Sequence, residues 1–417
     1  MFRNYSEEGP ALLTDASTKI RARFVLENTS TTVANTLRRC ILTETRSVGF
    51  RADLTNDAEP GVHIRKNTGA IFNEMLAHRL TLIPLGVVRL DEFDPTRYEC
   101  VLQAKNDSTG PDMLHVTADM FVVREKGEDG IFQPLERVAA TAMFPPDPLT
   151  GATSLITSLR PRWNADLPAD EIDLTAYPVI GRGREFMGFC PVAQCAFENT
   201  LDEDPVRQDA FFNDWLASFK KVTEPATLEP ATLENYRKEW STLAIQRCFR
   251  VDARGEPNSF SFTIESVGIR PVRDLVAEGI QSVIDLVTPY TDAEVAMKDI
   301  GLSTRPLDSR MSGLQVLFDG QEHTLGCLLE AMLHELYLKT EEPDAPIMYA
   351  AYKVPHPLHR VMTLNLGVRP EAGNAQAIVR QVIAAAAQKA KSVFEELGRA
   401  WAAVGAGGAG PSTVLDG

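Results

Sequence analysis

Residues 259–271, SFSFTIESVGIRP, and residues 360–370, RVMTLNLGVRP, decide the reading of the fold, because each alternates apolar with polar side chains and closes on a Gly-aliphatic-Arg-Pro tetrad. Phe260, Phe262 and Ile264 in the first stretch, and Met362, Leu364 and Leu366 in the second, have the period of two expected of a strand with one buried face. After Pro271, which stands where a first-turn proline belongs, Val272, Leu275, Val276, Gly279, Ile280, Val283, Ile284 and Val287 keep to one helical stripe. After Pro370 a longer stripe runs from Ile378 through Val382, Ile383, Ala386, Ala390 and Phe394 to Leu397 and Trp401.

Upstream of each stretch lies a second matching unit. Ile20, Ala22, Phe24 and Leu26 alternate with Arg21, Arg23 and Glu27; capping oxygens follow at Asn28, Thr29 and Ser30, and then a stripe of Val33, Leu37, Cys40 and Ile41. Leu314, Val316 and Phe318 likewise precede GQEHTLGCLLEAMLHEL (320–336), in which Leu325, Leu328, Leu329, Met332, Leu333 and Leu336 recur at helical spacing. Setting Thr324 on Thr32 superposes Leu325 on Val33, Gly326 on Ala34, Leu329 on Leu37 and Leu333 on Ile41. Two copies of strand-helix, strand-helix imply an internal pseudo-twofold, since helices with such wide apolar stripes must be covered and can cover each other.

The fold class expected is therefore α+β: two pseudo-symmetric domains packed on each other through long helices, the first interrupted by a mainly β insert. The boundaries expected are 1–50 with 252–290 for the first domain, 51–251 for the insert, 289–312 for a linker, 313–402 for the second domain and 403–417 for a flexible Gly- and Ala-rich tail.

Composition bounds the function. A chain of 417 residues exceeds the size at which one core keeps growing, and 44% apolar with 24% charged residues is a globular balance. The formal net charge of −15 repels a phosphate backbone and excludes nucleic acid as the main direct partner. No run approaches the ~18 apolar residues of a membrane span, and the first residues lack the apolar run of a signal peptide, so a soluble, intracellular protein with no membrane partner is expected. Six cysteines (Cys40, Cys100, Cys190, Cys195, Cys248, Cys327) contain no CxxC pair and are expected as reduced thiols.

No catalytic constellation stands out. Asp91, Glu92 and Asp94 could hold Mg2+, yet they sit beside Pro95 with no phosphate cradle near and read as a solvated loop. Gly181, Gly183 and Gly188 miss the GxGxxG spacing and read as a turn. His356 and His359 lie among prolines that exclude a helix, so a stiffened hairpin is expected rather than a metal site. Cys190 and Cys195 lack two further ligands and are expected as small buried side chains. Arg38, Arg39, Arg46 and Arg51 form a local basic group, either an ordinary solvated face or a partner-docking face; guanidinium forks suit carboxylates and carbonyls at interfaces, which favours docking.

Three segments, NTSTTVANTLRRCILTE (28–44), NTGAIFNEMLAHRLTLIPLG (67–86) and SFTIESVGIRPVRDLVAEGI (261–280), together resemble the third-largest subunit of RNA polymerase II, the archaeal D subunit and the N-terminal domain of bacterial alpha. GRGREFMGFCPVAQCAFE (181–198) is similar to the part of these subunits preceding the return to the dimerisation domain. EHTLGCLLEAML (322–333) and YAAYKVPHPLHRVMTLNL (349–366) resemble their small partner, the archaeal L subunit. The resemblance implies a heterodimer fused into one chain, similar to fusions in some large DNA viruses of eukaryotes, with the virion and the compartment of viral transcription as its place.

The resemblance further implies a non-catalytic assembly platform. Its dimer core would hold Val33, Leu37, Ile41, Leu275, Ile280, Ile284, Leu325, Leu329, Leu333, Ile383 and Phe394. Arg38, Arg39, His78 and Arg79 would face the largest and second-largest polymerase subunits. Small zinc-bearing subunits would join them, and DNA would be met only through the complex. Many relatives carry a cysteine cluster for zinc, or for an iron-sulfur centre, in the inserted domain, but here only Cys100 lies in the part of the insert where the resemblance would place zinc, so neither metal nor cofactor is expected. Two other classes remain as alternatives: a dimerising transcription-regulatory module outside the polymerase, and an enzyme with a site in the insert.

Overall fold

The computed structural model describes residues 1–9, 20–52, 61–87, 89–147, 149–164, 166, 168–225, 228–295, 297–307, 311–339 and 344–404. Most of the tail expected at 403–417 lies outside the described residues.

The chain opens with β1 (Phe2–Glu8), β2 (Arg21–Glu27) and α1 (Thr31–Thr43). Alternation in β2 buries Ala22, Phe24 and Leu26, and Ser30 caps α1 by accepting the Val33 N–H at 3.3 Å. Next come β3 (Arg46–Phe50), β4 (Val62–Asn67), α2 (Asn73–Thr81), β5 (Tyr98–Lys105), β6 (Leu114–Thr117), β7 (Val122–Lys126), β8 (Phe132–Pro134), α3 (Arg137–Met143), β9 (Leu155–Leu159), β10 (Glu171–Ala176) and β11 (Pro178–Arg182). They build a mainly β unit around a five-stranded sheet ordered β4-β10-β5-β7-β8, with a core of its own that includes Phe50, Leu76, Leu102, Phe121 and Leu174.

The chain then returns through β12 (Val192–Asn199), α4 (Pro205–Trp215), α5 (Pro230–Leu243), β13 (Ser259–Ser266) and α6 (Val272–Val287). A second unit follows: β14 (Leu302–Pro306), β15 (Gly313–Asp319), α7 (His323–Leu333), β16 (Ile347–Lys353), β17 (Val361–Val368) and α8 (Ala375–Val404).

The two units match position for position. One antiparallel sheet is ordered β1-β2-β13-β12 and the other β14-β15-β17-β16. In each, the second-listed strand leads into a short helix (α1 or α7) and the third into a long one (α6 or α8). α1 packs on α6 and α7, and α8 packs on the same two, so exchanging the units maps these contacts onto themselves. One continuous apolar core joins Phe24, Leu37, Phe262 and Ile280 of the first unit to Phe318, Leu329, Leu364 and Phe394 of the second. This is the α+β class read from the sequence.

The structure departs from the expected boundaries in three places. β3, expected in the first domain, pairs with β11, and its Val48 and Phe50 belong to the core of the insert. β12, expected inside the insert, is the edge strand of the first sheet and bonds to β13; a register shift between Val192 and Gln194 breaks its alternation, which hides it in the sequence. β14 occupies part of the expected linker, a short edge strand in which only Leu302 is buried. Between β12 and β13, α4 and α5 form a helical hairpin with a small core of Phe212, Leu216, Trp240, Ala244 and Cys248.

The pseudo-symmetry is broken most by length, because α8 has 30 residues against 16 in α6. Its last turns cross to the first unit, where Trp401 meets the rings of Phe2 (5.0 Å), Tyr5 (5.4 Å) and Phe24 (5.1 Å) and donates its indole N–H to the Arg273 carbonyl at 3.0 Å. Near its start, buried Arg380 donates to the carbonyls of Val295 and Asp292, tying the inter-unit connection to α8.

Candidate docking surface

Ten of the side chains assigned to the dimer core (Val33, Leu37, Ile41, Leu275, Ile280, Leu325, Leu329, Leu333, Ile383, Phe394) are buried in the shared core. Ile284 is not. It is half-buried in a groove between α6 and α8 also lined by Gly398, which has no side chain, and Ala402, which has a small one.

The basic residues of α1 follow from its geometry, since Arg38 and Arg39 flank the buried stripe on its outer side. Arg38 donates its Nε to the Asn35 side chain at 3.0 Å. Arg39 reaches across to the other unit, donating its Nε to the Thr324 hydroxyl at 2.9 Å. It lines a cleft of about 270 Å³ with Thr43, Arg184, Glu322, Thr324 and Arg360. Glu44, at the end of α1, takes Arg184 at 2.7 Å and Arg182 at 3.6 Å.

His78 and Arg79 sit on α2, in the insert, and no hydrogen bond or ion pair among the described residues joins them to Arg38 or Arg39. Arg79 donates to the carbonyls of Ile156 (2.9 Å) and Leu155 (2.8 Å), which pins α2 to β9 while leaving much of the side chain exposed. The His78 ring lies edge-on to Phe186 with centroids 6.1 Å apart. Residues 183–189 link the two faces, because Arg184 pairs with Glu44 and Phe186 meets His78.

Arg46 and Arg51, grouped with Arg38 and Arg39 by sequence, are internal ties instead. Arg46 pairs with Glu278 at 3.0 Å and with Asp91 at 3.2 Å, and Arg51 pairs with Glu185 at 2.8 Å. Glu278 also takes the buried Arg270 of the first tetrad at 2.6 Å, so one carboxylate on α6 fastens the tetrad and the start of the insert together. A carboxylate between two guanidinium groups is well compensated despite its burial.

The sequence reading missed the apolar part of this surface. Phe72 is 78% exposed and Met75 62%, and Leu82 and Met187 are also exposed, so α2 turns an apolar row outward beside His78. The signal was present in FNEMLAHRLTLI, which has more apolar positions than one face of so short a helix can bury.

The side chains tested for chemistry are otherwise engaged. Asp91 pairs with Arg46, and Glu92 with Arg89 at 3.2 Å. The Asp94 carboxylate accepts the Thr96 hydroxyl at 2.7 Å and its N–H at 3.0 Å, bonds that hold it below the usual carboxylate range. Gly181, Gly183 and Gly188 lie in and after β11, and His356 and His359 in the loop between β16 and β17. Among the described residues no three His, Cys, Asp or Glu side chains converge as a metal-binding group.

Burial pushes the Cys40 and Cys195 thiols up to about 12 and raises Cys190, while Cys100 is sealed beneath Met143. Cys195 is buried as expected, whereas Cys190 is only half-buried. Alkylation of the native chain at about pH 8 should therefore mark Cys190 and Cys327, the two half-exposed thiols, well before Cys40, Cys100, Cys195 and Cys248. Peptide mass mapping checks the order, and early modification of Cys40 would contradict the core described.

Known proteins resemble the chain along its first unit and insert. Residues 23–287 match the RNA polymerase Rpb3/Rpb11 dimerisation domain. The DNA-directed RNA polymerase II subunit RPB3 of Schizosaccharomyces pombe is 27% identical over 264 residues, covering 62% of this chain and 78% of that one. The DNA-directed RNA polymerases I and III subunit RPAC1 of Saccharomyces cerevisiae is 25% identical over 300 residues, covering 62% and 80%. The archaeal subunit Rpo3 of Methanosphaera stadtmanae is 29% identical over 182 residues, covering 43% and 57%. The matched region begins within β2 and ends with the last residue of α6, taking in α1, β13, α6 and the insert between the two halves of the frame. By that match, the chain belongs to the RNA polymerase Rpb3/Rpb11 dimerisation-domain family, as an Rpb3-like polymerase subunit.

Proposed function

We propose that this protein is a non-catalytic assembly subunit of a multisubunit DNA-directed RNA polymerase, in which a D/alpha-like half and an L-like half are one polypeptide. The observation that carries the reading is the second unit: it lies beyond the family match, yet it has the same strand order and helix placement as the first and shares its core. Folded so, the chain is an intramolecular heterodimer. It docks the largest and second-largest subunits through Arg38, Arg39, His78 and Arg79, aided by the exposed Phe72, Met75 and Leu82, and takes small zinc-bearing subunits as further partners. DNA is reached only through the complex. The fusion resembles those of large DNA viruses, which would place the protein in the virion and in the host compartment of viral transcription.

Changing Arg38 and Arg39 together to Glu should leave thermal unfolding near that of the native chain, because neither side chain is in the core. It should also abolish co-purification with a large polymerase subunit, since like charge at a docking face repels. Retained co-purification would remove these arginines from the docking face. Recovery of peptides from both halves in one electrophoretic band of the purified polymerase tests the fusion, and two separate bands would refute it.

A further inference from the structure

α1 and α7 flank two clefts that the internal repeat relates to each other. The first is the 270 Å³ cleft beside Arg39; the second, about 610 Å³, lies at the other end of the helix pair. The alignment that sets Thr32 on Thr324 also carries Ser30 onto Glu322, Arg39 onto Ala331, Cys40 onto Met332 and Thr43 onto Glu335. One member of every pair lines one cleft and the other member lines its counterpart.

The shapes correspond but the charges are opposite. Arg39, Arg184 and Arg360 outnumber Glu44 and Glu322 in the first cleft, whereas Asp252, Glu256, Glu330 and Glu335 outnumber Arg254 and Lys339 in the second. One matched helix position is reversed in charge: Arg38 on α1, beside the first cleft, corresponds to Glu330 on α7, which lines the second. Neither forms an ion pair among the described residues. Lys339 and Glu256 pair at 2.8 Å across the second cleft with both side chains well exposed, and such a pair contributes little and is readily exchanged.

We infer that the second cleft is a docking surface for a basic segment, bearing Lys or Arg, of a partner polymerase subunit, opposite in sign to the surface at Arg38 and Arg39. The inference rests on the assembly reading given above and adds what distinguishes the two faces. A fold with a pseudo-twofold offers two similar surfaces, which two partners could take in either order. Opposite net charge in the two related clefts makes the exchanged arrangement repulsive, so each partner has one place.

The test uses the full chain and the two large subunits of its polymerase, purified separately, with affinities measured at low and raised salt. Glu330→Arg should weaken one large subunit by about tenfold, equivalent to ~1.4 kcal/mol, and leave the other unchanged. Glu330→Gln should do so less, and Arg38→Glu should weaken the other subunit instead. Thermal unfolding should match the native chain in all three, and Glu330→Gln keeps the test valid should Glu330→Arg disturb the fold. If the native chain binds and Glu330 variants leave both affinities unchanged, or if Arg38→Glu and Glu330→Arg weaken the same subunit, the inference is overturned while the assembly reading stands. Native chain that binds neither large subunit would overturn both.

Discussion

Leu329→Asp is expected to abolish cooperative folding of both units, not of the second alone. Leu329 is fully buried on α7, in the core that joins the two sheets through α1, α6 and α8. Removing it gives up the ~1.5–3 kcal/mol that burial of a leucine contributes, and the carboxylate that replaces it finds no cation there. The combined cost of several kcal/mol is comparable with the ~5–15 kcal/mol by which domains are stable. Calorimetry should show no native transition, or one displaced far downward, in which the first unit takes part. Ile284→Asp is the control: at its half-buried place on the groove between α6 and α8 the carboxylate reaches water, and the transition should shift only slightly. A near-native melt for Leu329→Asp, or loss of the second unit with the first intact, would dismiss the shared core.

Trp401→Ala should cost about 3–5 kcal/mol, the range for removing a buried large aromatic. Trp401 comes from the second unit, yet its neighbours Phe2, Tyr5 and Phe24 belong to the first, and its N–H satisfies the Arg273 carbonyl on α6. The loss should fall on β1 and β2, so hydrogen exchange should quicken there while β15 and β17 keep their protection. Trp401→Phe should restore part of the stability, as it keeps one ring in the cluster while losing the hydrogen bond and some buried volume. Equal loss of protection in both sheets would mean that the tip of α8 does not act locally.

The elements that could be read from sequence are those whose burial is one-sided. β2, β13, β15 and β17 alternate, and α1, α6, α7 and α8 carry continuous stripes, because each has one face on the core. The tetrads marked the two returns correctly, although their glycines serve different ends. Gly268 has φ +93, whereas a Cβ on Gly367 would meet the Met311 sulfur at 2.4 Å. β12 and β14 were misplaced because edge strands and strands with bulges bury too few side chains to show a period, and β3 because burial of four of its five residues leaves no alternation. On the candidate site, the sequence shows that Arg38, Arg39, Arg46 and Arg51 are close along the chain, but not that Glu278 and Glu185 consume two of them.

What the sequence determined alone is the repeat: two strand-helix, strand-helix units with apolar stripes that had to be covered. Local periodicity encodes which face of an element leaves water, and that needs no knowledge of the partner. Only the tertiary structure decided which charges remain available, that Arg39 bridges to Thr324, and that matched clefts have opposite sign. Those depend on pairs far apart in the chain, whose meeting is set by packing of the whole core and leaves no local trace.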